Sequence, residues 1–176
     1  MKNTKEKILF ISFQTFLNNG FENTTISDLV KNTGVSKGAF YHYFPNKETL
    51  YNAVIDTFFL SYFKNIDWSN FENLSFNELE TEIKSFYIKF VNEINNLSQS
   101  GLANYFIMFF EASKHHPEFI KVTQDFYSKL EIEIDKAIKK ENINQDALSI
   151  ITKYEGVLFW LSIFPKEKIE KIIERI

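Results

Sequence analysis

The stretch from Thr25 to Leu50 reads TISDLVKNTGVSKGAFYHYFPNKETL and holds the signals for two short helices and the start of a third. Thr25 is a candidate N-cap, and Asp28 follows three residues later, as a capping box requires. Gly34 is placed to end the first helix, because a left-handed backbone conformation costs glycine little. Ser36 is placed to cap the second helix. The spacing therefore predicts a helix, a tight turn and a helix.

The second of these helices has two unlike faces. Phe40 and Phe44 lie four residues apart, so they share one side of the helix and are expected to be buried. The remaining side chains give a basic and aromatic outer face, formed by Lys37, Ala39, Tyr41, His42 and Tyr43. A two-turn helix with this division is suited to enter the major groove of DNA as the second helix of a helix-turn-helix.

These residues also carry a family resemblance. The run GVSKGAFYHYFPNKETL resembles the DNA-binding signature of the TetR family of bacterial transcriptional regulators, and so does the frame before it, with Asn19–Phe21 and Thr24–Ile26. The resemblance covers about the first fifty residues; the rest of the chain is similar to the family only in length and helical character. Alanines are frequent in the family where this chain has Val30 and Thr33, and a polar residue is frequent where it has Ala39.

The candidate DNA-binding residues are Thr25, Ser36, Lys37, Gly38, Ala39, Tyr41, His42, Tyr43 and Lys47. Lys37 is the best candidate to reach a guanine through O6 or N7. Ala39 and the ring of His42 are candidates to contact a thymine methyl group. We therefore expect limited hydrogen-bonded readout of bases and some reliance on DNA shape.

Phosphate contacts are expected from three of these residues. The hydroxyl of Tyr41 is placed to reach a phosphate; the alternative, an exposed tyrosine that packs on the first helix, stays open. Lys47 and Thr25 lie at the starts of helices, where free backbone N–H groups favour anions. Charge is distributed accordingly: the first fifty residues carry a net +2, whereas the remainder carries −5. Such a difference would orient the amino-terminal end towards DNA phosphates.

Composition excludes several classes of function. The chain has 176 residues, 44% hydrophobic and 24% charged, which is typical of a soluble globular protein. Without cysteine it has no disulfide, thiolate metal site or cysteine nucleophile. No apolar run reaches the ~20 residues of a membrane span. A weak signal-peptide pattern at Lys2, Lys5 and Lys7 is interrupted by Glu6, so we expect a cytoplasmic protein.

Apolar residues at three-to-four spacing predict an all-α chain of about nine helices. Residues 1–46 are predicted to form a helix-turn-helix DNA-binding domain, and residues 47–176 a domain for ligand binding and dimerisation. The fifth helix is expected to point a stripe of residues inwards: Leu79, Ile83, Phe86, Phe90 and Ile94. The sixth, about 102–114, is apolar all round and is therefore expected to be buried on all sides at the centre of the larger domain.

A bundle of this kind often encloses a ligand between its helices. The candidate ligand-binding residues are Phe86, Phe90, Tyr105, Phe109, Glu111, Tyr127, Tyr154 and Trp160. The alternative for the aromatic members is a close-packed core. Glu111 in so apolar a helix indicates either a cationic ligand or a solvent-facing helix end. No metal site is expected, since His115 and His116 point to different sides of a helix end, far along the chain from His42.

The last two predicted helices require a partner surface. The eighth, about 145–164, contains the two-sided apolar run GVLFWLSIF, and the ninth has a stripe from Ile169 to Ile176. Their own copies would give a four-helix dimer interface, as the family resemblance also implies. Two helix-turn-helix domains could then lie roughly 34–36 Å apart on a palindromic DNA site.

The sequence thus favours a homodimeric repressor that a small apolar or amphipathic ligand releases from a palindromic operator. Repression rather than activation is what the resemblance implies. The rival hypothesis is a constitutive dimeric DNA-binding protein without a ligand. An enzyme is a third hypothesis, but three histidines, no cysteine and no suggestive carboxylate spacing offer little catalytic material. No cofactor is expected.

Overall fold

The computed structural model describes residues 4–176, which form nine helices and no strand, as the all-α prediction required. Residues 1–3, with Lys2 and the start of the predicted amino-terminal domain, lie outside the described residues. The helices are α1 (Thr4–Asn19), α2 (Ile26–Thr33), α3 (Lys37–Tyr43), α4 (Lys47–Ile55, continued by a π-helical turn, Asp56–Leu60, and by Ser61–Lys64), α5 (Phe76–Leu97), α6 (Leu102–His115), α7 (Phe119–Glu141), α8 (Ala147–Ile163) and α9 (Ile169–Ile173). Within this part of the chain, no helix is both long and apolar enough to cross a bilayer.

The predicted helix caps around α2 and α3 are confirmed. The Thr25 hydroxyl accepts the Asp28 N–H at 3.2 Å, and the Asp28 carboxylate accepts the N–H and O–H of Thr25 in return. These hydrogen bonds from Thr25 hold the pKa of Asp28 below its ordinary value. Gly34 ends α2 with φ 64° and donates its N–H to two carbonyls of the last turn. Ser36 caps α3 by accepting the Ala39 N–H at 3.2 Å.

The chain divides into two compact units. The first combines Met1–Lys64 with Asn104–Val122, and the second combines Asn65–Ala103 with Thr123–Ile176. Most of α6 and the start of α7 therefore belong to the unit that contains the helix-turn-helix. The predicted functional boundary between residues 46 and 47 stays a prediction.

The first unit has a core rich in aromatic residues. Its α1 packs against α2 and α4, and the predicted inward residues of α1 are all buried: Ile8, Phe13, Phe16 and Leu17. Phe40 and Phe44 of the α3 region are buried as predicted, at 0% and 2% exposure. The ring of Phe16 meets that of Tyr51 edge-on at 5.0 Å, which links α1 to α4.

The core of the second unit differs from the prediction for α5. Leu79, Ile83 and Ile94 are buried as expected, but Phe86 is 37% exposed and Phe90 is only half-buried. Tyr87 and Val91 are buried instead, so the stripe advances in four-residue steps from Leu79. The physical reason is that the Tyr87 hydroxyl donates to the Glu155 carboxylate, and a satisfied hydroxyl removes the cost of burying a tyrosine.

The prediction that the sixth helix is buried on all sides is wrong for the single chain. Met108 and Ala112 of α6 are fully buried, but Ile107 and Phe110 are 54% and 59% exposed. Apolar composition reveals that a face avoids water; it does not reveal whether that face is covered within the chain or by a partner.

The last predicted helix is also shorter than expected. The helix α9 has five residues and packs on α5 and α8, and its Ile169 and Ile173 are buried within the second unit. Ile176 lies beyond the helix and is exposed. The stripe of isoleucines therefore completes the core of this unit and leaves little apolar surface for a partner.

Replacing Gly34 by alanine should lower the free energy of unfolding by about 1–2 kcal/mol, because an L-residue is strained at positive φ. The space beside Gly34 is open, with Lys7 Nζ as the nearest atom at 3.9 Å, so the cost would come from the backbone alone. The matched control is Gly38→Ala in α3, where no atom lies within 4 Å of the added Cβ. This control should raise stability by about 0.5–1 kcal/mol. Urea unfolding of both variants measures the difference; equal effects would contradict the assignment of strain.

Candidate nucleic-acid interface

The outer face of α3 presents the predicted basic and aromatic side chains to solvent. Lys37 and His42 are exposed, Tyr41 is 40% exposed, and Ala39 and Tyr43 are half-buried. The ammonium of Lys37 lies 5.9 Å from the centroid of the Tyr41 ring, one helical turn away. A cation and a phenol hydroxyl are thus brought to one side of the helix, where both can meet an anionic surface.

Gly38 leaves the first turn of α3 without a side chain. Apart from the adjacent backbone of the helix itself, no atom of residues 4–176 lies within 4 Å of the position that a Cβ would occupy there. Because the opposite side is anchored by Phe40, whose side chain is fully buried, the backbone of this turn is both fixed and accessible. A flat, exposed turn of this kind allows a groove wall or phosphate to approach closely.

The two predicted caps are less available to a phosphate than expected. The Thr25 hydroxyl donates to Asp28 Oδ2 at 2.6 Å, and the Ser36 hydroxyl accepts the Ala39 N–H. Asp28 also adds a negative charge at the start of α2, which opposes an incoming phosphate there. The structure therefore gives Thr25 and Ser36 a defined role as the N-caps of α2 and α3, and their contacts with DNA stay predictions.

Lys47 is engaged within the first unit. Its ammonium donates to the backbone carbonyl of Phe21 at 2.8 Å and lies 4.1 Å from the centroid of the Phe21 ring. It is half-buried, so its charge is directed to the loop between α1 and α2 in this structure. The sequence offered no signal for this contact, because the two residues are 26 positions apart.

Glu111 has a partner within the first unit that the sequence did not indicate, and its predicted contact with a cationic ligand stays a prediction. Its Oε2 accepts the backbone N–H of Phe21 at 2.8 Å, although the two residues are 90 positions apart. Burial, together with the nearby Glu111 carboxylate, raises the pKa of Tyr51, which packs against the Phe21 ring at 4.6 Å. Glu111 therefore binds the loop that precedes the helix-turn-helix, and it does not face solvent at a helix end.

The other predicted ligand-binding residues are divided between the two units. In the first, Tyr105 stacks on Phe59 at 5.4 Å and Phe109 meets Phe119 edge-on at 4.9 Å. These four rings fill space between helices of that unit. This arrangement agrees with the alternative of a close-packed core.

In the second unit, Phe86 stacks on Phe90 at 6.2 Å, and Tyr154 stacks on Tyr87 at 5.1 Å. Trp160 is 47% exposed and donates its indole N–H to Glu167 at 3.2 Å. The tryptophan therefore lies on the surface of the single chain.

A groove of about 380 Å³ runs between α7 and α8 in the second unit. Tyr127, a predicted ligand-binding residue, lines it and donates its hydroxyl to Glu155 at 2.7 Å. The hydroxyl of Tyr154, one residue before Glu155, is buried and has no hydrogen-bond partner among residues 4–176, and burial raises its pKa to about 12. The groove is lined by Thr123, Gln124, Tyr127, Ser128, Glu131, Leu148, Ile151 and Glu155.

The two adjacent histidines diverge, as the sequence predicts. His115 Nε2 lies 3.3 Å from Glu22 Oε1, whereas His116 Nε2 lies 3.4 Å from Asp56 Oδ2. Across residues 4–176, no three acidic, histidine or cysteine side chains converge closely enough to hold a metal ion.

Comparison with known proteins identifies the amino-terminal part. Residues 11–54 match the domain described as bacterial regulatory proteins, tetR family. An uncharacterized HTH-type transcriptional regulator in the lacX 3′ region of Lactococcus lactis subsp. lactis is 43% identical over 56 residues, which are 32% of this chain and 29% of that protein. The HTH-type transcriptional regulator QacR of Staphylococcus aureus is 37% identical over 54 residues, 31% of this chain and 29% of that protein. The chain thus spans less than a third of the length of these curated relatives.

The fold of nearly the whole chain is similar to that of solved protein structures. A Clostridium perfringens putative fatty acid metabolism regulator has a TM-score of 0.67 at 19% identity and covers 96% of this chain and 93% of its own. At such identity the likeness concerns the fold alone. It shows that the helices after residue 54 are arranged as in solved regulators, while the matched residues 11–54 carry the sequence signature. Residues 11–54 are thus a domain of the tetR family of bacterial regulatory proteins, and the chain as a whole is similar in fold to solved proteins.

Proposed function

We propose that the protein is a DNA-binding transcriptional repressor that inserts α3 into the major groove. The observation that carries this proposal is the division of α3 into a buried and an exposed side. Phe40 is fully buried, while Lys37, Tyr41 and His42 stand on the exposed surface. Because the phenylalanine side of the helix packs in the core and the basic, aromatic side is exposed, the exposed side can contact base edges while the core packing is unchanged.

Lys37 and Tyr41 supply the main polar groups of this face. The lysine can donate to guanine O6 or N7, and the tyrosine hydroxyl can donate to a phosphate. The net +2 charge of the first fifty residues, against −5 for the remainder, supports an approach to DNA by that end.

The protein is expected to act as a homodimer on a palindromic operator. Leu148, Phe159 and Ile163 are exposed on α8 at separations of eleven and four residues, so they lie along one side of that helix. Gly156, also exposed, stands between them and leaves room for a second helix to approach. Ile132 adds an exposed apolar side chain on α7. These residues support a dimer face on α8, which is the predicted eighth helix, together with α7 in place of the predicted ninth helix.

We further propose that a small-molecule effector controls DNA binding. A small apolar or amphipathic molecule would bind the second unit, for which the groove between α7 and α8 offers apolar and carboxylate groups. The molecule would favour an arrangement in which the two helix-turn-helix domains no longer match the operator. The alternative is a constitutive dimeric DNA-binding protein, whose second unit serves dimerisation alone.

The purified protein should select palindromic duplexes from a random library at low ionic strength, with affinity that falls steeply as salt rises. On the selected duplex, Lys37→Ala should weaken binding by about 1–3 kcal/mol, because a base contact is lost. The matched control is Lys139→Ala, which removes the same charge from a side chain that is 77% exposed on α7. It should bind like the wild type. No preference over random competitor DNA would contradict the proposal.

Ile163→Asp should convert the dimer to a monomer, since a buried, unpaired carboxylate is costly at an apolar interface. Sedimentation velocity over a range of concentrations measures the change. The matched control is Tyr41→Asp, which places the same charge on the exposed face of α3; this variant should stay a dimer and lose DNA binding. A wild type that sediments as a monomer at micromolar concentration would refute the dimer.

An effector should lower operator affinity roughly 5–150-fold, the range that a coupling of about 1–3 kcal/mol produces. Thermal shifts across a broad panel of small apolar and amphipathic compounds would identify binders, and operator affinity would then be measured with each. Glu155→Gln should alter the affinity of a compound that occupies the groove. A compound that binds there and leaves operator affinity unchanged would contradict the effector role. The absence of any thermal shift would favour the constitutive alternative.

A further inference from the structure

The loop between α1 and α2 is held at both backbone hydrogen-bonding groups of Phe21, its N–H and its carbonyl. Its N–H donates to Glu111 Oε2 on α6 at 2.8 Å, and its carbonyl accepts from Lys47 Nζ on α4 at 2.8 Å. All three residues belong to the first unit. A single peptide segment is therefore fixed from two helices by two charge-assisted hydrogen bonds, which are the stronger kind.

The Phe21 side chain is enclosed by the same two helices. It is only 4% exposed, and its ring lies 4.6 Å from that of Tyr51 on α4 and 4.4 Å from that of His115 on α6. The ammonium of Lys47 lies over the same ring. We call this cluster of Phe21, Lys47, Tyr51, Glu111 and His115 the Phe21 junction. It is the place where the loop before the helix-turn-helix meets both α4 and α6.

Gly20 shows how closely the Glu111 carboxylate fits the loop. The glycine has φ 79°, and a Cβ added there would lie 3.0 Å from Glu111 Oε1. The position therefore requires glycine for its backbone conformation and leaves little room beside the carboxylate. The Gly20 carbonyl accepts the Thr24 hydroxyl at 2.7 Å, so the rest of the loop is fixed to the same segment.

This loop determines where the helix-turn-helix begins. Gly20 closes α1 by donating to the Phe16 carbonyl at 2.8 Å, and α2 begins at Ile26. A change in the backbone at Phe21 would therefore be passed to α2, and from it to α3, within a few residues. The interactions of α1 with α2 and α4 limit the movement but do not hold the loop amide.

We infer that Glu111 is a positioning residue for DNA binding: by accepting the Phe21 amide, it holds the helix-turn-helix in the orientation that the operator requires. The inference rests on the proposed function and adds to it a defined chemical link from α6 to the DNA-binding helices. Glu111 does not touch DNA in this role. Its loss lowers the population of the competent orientation, and apparent affinity falls in proportion to that population.

The test compares Glu111→Ala, Glu111→Gln and the matched control Glu118→Ala on the duplex selected by the wild type. Glu118 is an acid of the same unit whose side chain is 69% exposed. Glu111→Ala should bind about tenfold more weakly, because the free loop spends about a tenth of its time in the competent orientation. Glu111→Gln keeps a carbonyl oxygen that can accept the amide, so it should recover most of this loss. Glu118→Ala should bind like the wild type.

Two further readouts separate positioning from general damage. The slope of log affinity against log salt should stay the same in Glu111→Ala, since the bound state neutralises the same phosphates. Amide hydrogen exchange of residues 17–25, measured without DNA, should accelerate in Glu111→Ala and stay at the wild-type rate in Glu118→Ala. Thermal unfolding midpoints show whether the whole unit is intact.

Glu111→Ala that binds as tightly as the wild type would overturn the positioning role alone. A loss of affinity accompanied by a smaller salt slope and a collapse of the unfolding midpoint would overturn it too, because the defect would then be unfolding. A wild-type protein that selects no duplex would instead overturn the proposed function, and the DNA role of Glu111 with it.

Discussion

Burial of Phe40 and Phe44 is the constraint on which the exposed face of α3 depends. A helix of seven residues is not stable in water by itself, since helix nucleation is costly and few hydrogen bonds follow it. Each fully buried phenylalanine contributes about 1.5–3 kcal/mol, enough to hold so short a helix against its neighbours. The Ser36 cap then sets where this helix begins, and the Phe44 N–H donates to the Phe40 carbonyl at its end. The presentation of the exposed face of α3 is thus a property of the packed unit.

The same logic extends to the rest of the first unit. The helices α1, α2, α3 and α4 form the familiar amino-terminal arrangement, yet most of α6 is part of the same compact unit. The Phe21 junction supplies specific hydrogen bonds that link α6 and α4 to the loop between α1 and α2. A carboxylate from α6 accepts the backbone N–H of Phe21, and an ammonium from α4 donates to its carbonyl. The compact unit that contains the helix-turn-helix therefore joins segments that lie far apart in the sequence.

Local features could be predicted from the sequence, and contacts between distant residues could not. The caps at Thr25, Ser36 and Gly34 depend on neighbours within three or four residues, so spacing alone identified them. The burial of Tyr87 in place of Phe86 depends on Glu155, 68 residues away. The role of Glu111 depends on a backbone amide 90 residues away, and an amide leaves no trace in a residue pattern. The exposed face of α6 could be predicted as apolar but not as uncovered, whereas the apolar face of α8 was predicted to need a partner surface.

The π-helical turn in α4 has a consequence for how the connector helix fills its core. Val54 and Ile55 are buried before the turn, and Phe59 and Leu60, five positions later, are buried within it. In a regular α-helix, residues five apart diverge around the axis, so one pair would point to water. The Ser61 N–H instead bonds to the Asp56 carbonyl, five residues back, and the turn holds one extra residue. A one-residue deletion here would allow an ordinary helix, in which the two buried pairs would lie four positions apart and would still share one side.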